Sequence, residues 1–248
     1  MRQLDDSQIE AFDTEYVDDA RWRTVKACID RDFPDGAFTF LDVGGGIGVF
    51  ADRTLAAYPK SSGTVVENSA ILLSRNQPNT RKTVLLESIE NIEHVEKKYD
   101  IICLHWLLHH VVSDTYAHTR RNQLWSLRAV SALLTERGRI SIFENAYDGI
   151  LIDNLPGRII YRVTSSQAAS GIVRRLGANT AGVGVCFLSK KQWLLTIHDA
   201  RLGVLDYAEP DIGSWSLSML RRICLHVRRR FVGHFWLCTT PASRRSGG

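Results

Sequence analysis

"FLDVGGGIGVF", residues Phe40 to Phe50, decides how the rest of the chain is read. A short apolar run with the composition of a buried strand reaches an acid, Asp42, and then breaks into glycine at 44, 45, 46 and 48. A strand that turns sharply into a helix needs backbone without Cβ atoms, above all where a ligand lies against the turn. The helix that begins there aims its first amides at that ligand, which suits an anionic or strongly polar group. A dinucleotide fingerprint would want glycine where Val49 stands, and a Walker loop would want a following G-K-[ST].

Outward from this stretch, two kinds of segment alternate. "AFTFLDV", "SGTVVE", "KTVLLE", "YDIICLH" and "GRISIFE" are short and aliphatic, and each reads as a buried strand. Helical spacing separates them, most clearly in "RRNQLWSLRAVSALLTERG", where Leu124, Leu127, Val130 and Leu134 share a face and Gly138 supplies the stop. Strand and helix in alternation predict a parallel sheet covered on both faces. Later, Ser189 and Gln192 have capping-box spacing with Leu188 and Trp193 as the staple, so a helix runs from Ser189 to near Gly203. "GVLDYAE" is a further strand. A basic segment follows with Leu220, Ile223, Cys224 and Val227 on one side, then "GHFWLCTT" as a last, antiparallel strand. Residues 145–188 break the pattern with Pro156, several glycines and one helix around "IVRRLG", which is the form of a functional insertion or lid.

Composition sets the outer limits. With 248 residues, 44% hydrophobic and 23% charged, the chain is that of one globular domain. "MRQLDDSQIEAFDTEYVDD" is acidic and lacks an apolar middle, and no apolar run approaches bilayer length, so a cytoplasmic protein without a membrane span is expected. Five cysteines without a C-x-x-C pair read as free thiols, and no metal is expected. Acids crowd the first third, whereas "LRRICLHVRRRF" and "ASRRSGG" are basic; a solvated face and an anionic partner both remain open for that end.

Asp42, Gly44, Gly46 and Gly48 resemble the D-x-G-x-G-x-G signature of class I S-adenosylmethionine-dependent methyltransferases. The resemblance covers about the first 145 residues, and "FLSKKQWLLTIHDARLGVLDY" is similar to the family's final helix and sixth strand. It implies a Rossmann-like, doubly wound α/β fold: a mostly parallel seven-stranded sheet with an antiparallel last strand, a helical N-terminal extension and an insertion after strand 5. The parts of this single domain would be a helical cover over 1–36, a cofactor core over 37–144, the insertion over 145–188 and a C-terminal part over 189–248. S-adenosyl-L-methionine is the implied cofactor, with the glycine turn under its methionine end and Asp42 near its amino group. Glu67 would take the ribose hydroxyls, Glu87 and Ser88 would lie near the adenine, and Leu104 would belong to the same set.

"YDIICLHWLLHHV" is similar to the family's fourth strand and the turn after it, with Tyr99, Asp100 and His110 in matching places. His105 falls where relatives face cofactor and substrate, and is the first choice of general base for a hydroxyl acceptor; His109, one helical turn on, would share its pocket, and His110 reads as packing. Glu144 would orient an amine or hydroxyl. Tyr16, Trp22, Tyr147, Tyr161 and Arg162 are candidate substrate walls. The implied activity is methyl transfer to the hydroxyl or amine of a small molecule, including those of natural-product pathways. The alternatives are an RNA or protein methyltransferase using the basic C-terminal segment, or a non-methylating descendant that keeps the cofactor. Nucleic acid is disfavoured because no N-P-P-Y type motif follows the fourth strand, and a homodimer is kept open.

Overall fold

The computed structural model describes residues 2, 18–168, 170–175, 180–210 and 217–240, leaving aside the side chains of 172 and 173. Seven strands form one sheet in the order β3-β2-β1-β4-β5-β7-β6. They are β1 (Thr39–Val43), β2 (Ser62–Glu67), β3 (Lys82–Leu86), β4 (Tyr99–His105), β5 (Leu134–Gly149), β6 (Leu202–Ala208) and β7 (Val227–Thr239). β1 to β5 pair in parallel, and β7 runs antiparallel to both β5 and β6. The helices are α1 (Asp19–Asp32), α2 (Val49–Ala57), α3 (Ala70–Ser74), α4 (Tyr116–Ser131), α5 (Leu155–Thr164), α6 (Ser170–Arg175), α7 (Lys190–Asp199) and α8 (Met219–Cys224).

β1, β2 and β4 are buried along nearly their whole length, which is why their sequences run apolar instead of alternating. Successive side chains still point to opposite faces. On one face Leu41, Ile102, Leu104 and Ile142 pack with Leu127 and Val130 of α4 and Trp193 and Ile197 of α7. On the other, Phe40, Ile101, Cys103, Phe143 and Trp236 pack with Trp22, Val25 and Ile29 of α1 and Phe50 and Leu55 of α2. α1 begins where the Asp18 carboxylate accepts the Arg21 amide at 2.9 Å, a cap of the kind that contributes about 1 kcal/mol. Its buried residues 22, 25 and 29 follow helical spacing.

Four boundaries differ from the sequence expectation. α4 ends at Ser131, so Leu134 and Gly138 lie in β5; leucine spacing at 127, 130 and 134 fits a helix, but Leu134 is taken by pairing with Tyr99. β5 continues to Gly149, so the insertion starts after 149 instead of 145, and it holds α5 as well as α6. α7 ends at Asp199, ahead of Gly203, because Arg201 supplies the left-handed turn (φ 60°). β7 starts at Val227, six residues before Gly233: the long β5 offers partners, with Tyr147 opposite Arg230 and Asp148 opposite Arg229, and pairing overrides the poor strand propensity of three arginines. The predicted apolar side of the basic helix is short and turned outward, with Leu220 and Ile223 exposed. The capping box is half realised: Ser189 Oγ accepts the Gln192 amide at 3.1 Å, while Leu188 and Trp193 are buried in one cluster.

β1 and β4 are neighbours in the sheet although β1 continues to β2 on its other side. Such a switch in strand order opens a crevice at the carboxyl ends of the two strands. The glycine turn closes β1 there and residues 105–110 close β4.

Candidate functional site

The glycine turn is a rigid cradle. The amides of Gly44 and Gly45 donate to the Val66 carbonyl at 2.7 and 3.3 Å, and the Gly48 amide to the Gly45 carbonyl at 2.9 Å. Gly46 and Gly48 have φ of 55° and 82°, a region costly for residues with a Cβ. A Cβ on Gly46 would meet nothing within 4 Å, so this glycine faces open space. At Gly48 a Cβ would fall 2.0 Å from Asn76 Oδ1, so the close approach of Asn76, whose Nδ2 holds the Gly46 carbonyl at 2.8 Å, adds a packing reason. α2 begins at Gly48 with no side-chain cap, which leaves its first amides for another partner.

Two acids stand beneath. Asp42 is buried and its Oδ2 has no partner. Burial, and then the charge of Glu67, push the Asp42 carboxyl up to about 7, with Lys82 pulling the other way. A sealed, orphaned acceptor costs folding energy and suits a cationic ligand. Glu67 is also buried, and it is tied to the turn: Oε2 accepts the Gly46 amide at 3.0 Å and Oε1 the Ser69 amide at 2.9 Å. Burial raises its carboxyl, against the pull of those amides. Of the remaining expected contacts, Ser88 caps the 3-10 turn Ile89–His94 by accepting the Glu90 amide at 3.0 Å, and Glu87 accepts from the Ser88 amide at 2.7 Å and Asn91 Nδ2 at 2.9 Å. Leu104 is wholly buried in the core.

The two histidines are not brought together. His105 lies on the α1 and α2 side of the sheet, edge-on to Phe50 (ring centroids 4.7 Å) and to Phe143 (5.2 Å). Its Nε2 meets Ser141 Oγ at 2.9 Å, Ser141 meets His234 Nε2 at 3.0 Å, and its Nδ1 is sealed without a partner. Burial, with His234 adding to it, holds the His105 imidazole well below the usual histidine range. Trp106 follows with φ 52°, stacked on Phe143 at 5.5 Å and covered by the Arg21 guanidinium at 4.3 Å. That strained residue swings the chain to the opposite face.

There, the 3-10 turn Leu108–His110 presents His109 to Glu144. Glu144 is fully buried; Oε1 accepts the amides of Leu108 (2.8 Å) and His109 (3.3 Å), and Oε2 lies 2.7 Å from His109 Nδ1. Burial pushes the Glu144 carboxyl well up, and the donated amides oppose it. This carboxylate is therefore committed to positioning His109, not open to orient a substrate as the sequence suggested. The tautomer in which Nδ1 donates to an ionised Glu144 leaves the basic lone pair on Nε2. Phe187, at the end of the insertion, stacks on His109 at 4.8 Å, and the Cys186 amide donates to the His109 carbonyl at 2.9 Å. His110 packs 4.1 Å from His109, and burial lowers its pKa. Leu107 links the halves: a Cβ on Gly44 would lie 2.9 Å from Leu107 Cδ1, so the histidine turn rests on the glycine turn.

Of the expected substrate walls, Tyr147 is buried against Phe187 (4.8 Å), and Tyr161 gives its hydroxyl to the Ser113 carbonyl at 2.8 Å. Arg162 points to solvent and Trp22 is core. Both depart from a wall role, because α5 buries its other face and α1 needs Trp22 for packing. Tyr16 lies outside the described residues. Sequence reasoning missed Leu107, Phe187 and the Ser141 and His234 pair; only the aromatic at 187, next to the capping box, carried a usable signal.

Known structures match this fold. This is the class I methyltransferase fold. CalO1, a methyltransferase in calicheamicin biosynthesis in its SAH-bound form, is 16% identical with a TM-score of 0.54 over 95% of this chain and 59% of its own. The mitomycin 7-O-methyltransferase MmcR is 15% identical with a TM-score of 0.55 over 94% and 60%. A SAM-dependent methyltransferase of Leishmania major is 13% identical with a TM-score of 0.55 over 93% and 81%. The chain thus spans about three fifths of the length of the first two. No protein-family model and no curated protein sequence matches it. The methyltransferase-fold crevice is where the orphaned Asp42, the open space over Gly46 and the uncapped start of α2 lie, and these fit an adenosyl cofactor with a cationic methionine end.

Proposed function

We propose that the protein transfers a methyl group from S-adenosylmethionine to a hydroxyl of a small molecule, with His109 as the general base. The carrying observation is the 2.7 Å contact between His109 Nδ1 and buried Glu144 on a turn that leans against the glycine cradle. Asp42 and the uncapped first amides of α2 would hold the methionine end, and Glu67 the ribose. When bound, the cofactor supplies an electrophilic methyl carbon on sulfur. The chain's part is to line up the acceptor oxygen with that carbon and to keep water out, a task of positioning more than of strong acid or base. His109 Nε2 accepts the acceptor's proton as the new bond forms, and Glu144 steadies the imidazolium that results. Phe187 and the insertion roof the histidine. The neighbours named as natural-product methyltransferases, one of them an O-methyltransferase, support a small-molecule hydroxyl.

The test is transfer of labelled methyl groups to a panel of phenols and alcohols, alongside calorimetric cofactor binding. His109→Ala should cut turnover roughly 10²- to 10⁴-fold with little change in cofactor affinity. Near-normal turnover in a folded variant would return the reaction to an amine acceptor held only by position.

A further inference from the structure

Where β5 passes into the insertion, Ile150, Leu151 and Ile152 stand exposed, as do Met219, Leu220 and Ile223 of α8; Leu151, Met219 and Leu220 are 87%, 78% and 72% exposed. His226 joins the two groups. The Ile150 amide donates to its carbonyl at 3.1 Å, the amides of Leu151 and Ile152 converge on its Nε2 at 2.9 and 3.3 Å, and Gly149 pairs with Val227 beside it. The apolar tips therefore share one built corner of the molecule. Leu217 and Leu225, which flank α8, pack with Tyr147, Ile160, Val185 and Val227 and so anchor both ends of the helix, while its own residues stay exposed.

The same corner is cationic. Residues 217–232 hold five arginines and no acid. Arg228 approaches Asp148 at 3.6 Å and Arg229 pairs with Glu209, yet arginine still outnumbers acid among the described residues here. Aliphatic tips beside cations gain twice at a negatively charged bilayer, from apolar burial and from attraction to lipid phosphates. Single nucleic-acid strands are gripped instead through aromatic stacking, and among the described residues the exposed large apolar side chains include no aromatic.

We propose that this corner docks the protein on an anionic lipid surface, with Leu151, Met219, Leu220 and Ile223 entering the headgroup region and the arginines meeting lipid phosphates. It lies at the carboxyl end of β5, the sheet edge that carries His109, so docking turns that edge toward the lipid.

Co-sedimentation of the full chain with phosphatidylcholine vesicles, with and without phosphatidylglycerol, tests this. Binding to the anionic vesicles should be at least ~10-fold stronger than to the neutral ones and should weaken several-fold as salt rises. The double variant Leu151→Ser, Leu220→Ser should lose at least ~10-fold in anionic-vesicle binding, with an unchanged thermal midpoint because both side chains already face water. Equal binding to both vesicle types, or full retention by the double variant, would overturn the proposal. So would a concentration-dependent mass in solution that the double variant abolishes while vesicles bind nothing, since the corner would then belong to a second copy of the chain.

Discussion

Single residues set the chemistry, and Asp42 shows how function and stability compete. Its carboxyl, pushed to about 7 by burial and by Glu67, is part-protonated at neutral pH in the ligand-free protein. A cationic methionine end needs it ionised, so cofactor affinity should rise with pH and level off above about 7; calorimetry in buffers of different ionisation enthalpy should show proton release on binding. The stability sign is opposite. A carboxyl whose folded pKa exceeds its unfolded value near ~3.9 contributes stability that is present at low pH and lost as pH rises toward 7. Asp42→Asn should therefore raise the thermal midpoint at pH 8 while weakening cofactor binding; an unchanged affinity would remove Asp42 from the site. Glu144→Gln separates the two histidines. It keeps an acceptor for the Leu108 and His109 amides but no longer fixes the His109 tautomer, so turnover should fall about 10²-fold with the fold intact. His105→Ala should instead lower stability, by about 1 to 3 kcal/mol, because it removes one of the two partners of the Ser141 hydroxyl and the ring packed on Phe50 and Phe143, while leaving the pH profile of turnover alone.

At the scale of elements, the insertion after β5 carries the test of access. Its return strand of contacts, from Gly182 to Phe187, is pinned by the Cys186 amide to His109 and by Gln123 Nε2 to the Cys186 carbonyl at 3.0 Å. α5 is tied to Ser113 through Tyr161 and to Gly182 and Val185 through Thr164, while α6 has fewer such ties among the described residues, so limited proteolysis should cut between 165 and 175 first and slow when cofactor and acceptor are both bound. Equal cutting with and without ligands would make the insertion a fixed wall. The cap of α7 is a second, independent test: Ser189→Ala removes the acceptor for the Gln192 amide and a partner of Asp153, and should cost about 1 kcal/mol, read as a lowered denaturation midpoint with turnover retained.

On the scale of the whole molecule, the small-molecule reading proposed above predicts a weak response to salt, whereas binding that neutralises phosphates weakens steeply. Methyl transfer to the small acceptor is therefore expected to change less than about 2-fold between low and moderate salt, and a steep loss would favour the nucleic-acid alternative. The sequence by itself determined the five parallel strands, the glycine turn at the end of the first, the acids at 42 and 67 and the start of α7. Each of these follows from local rules: apolar runs of strand length, backbone that tolerates positive φ, a hydroxyl three residues before a free amide. It did not determine where β5 ends or where β7 begins, because those limits depend on each strand finding the other across 80 residues of chain. Nor did it choose between the histidines. His105 and His109 are four residues apart and chemically alike, and only the swing at Trp106, fixed by stacking on Phe143 and by Arg21, sends one into an aromatic core and the other to Glu144. The carboxyl group of Glu144, 35 residues away in sequence, meets the His109 imidazole at 2.7 Å, and that contact exists only in the folded sheet.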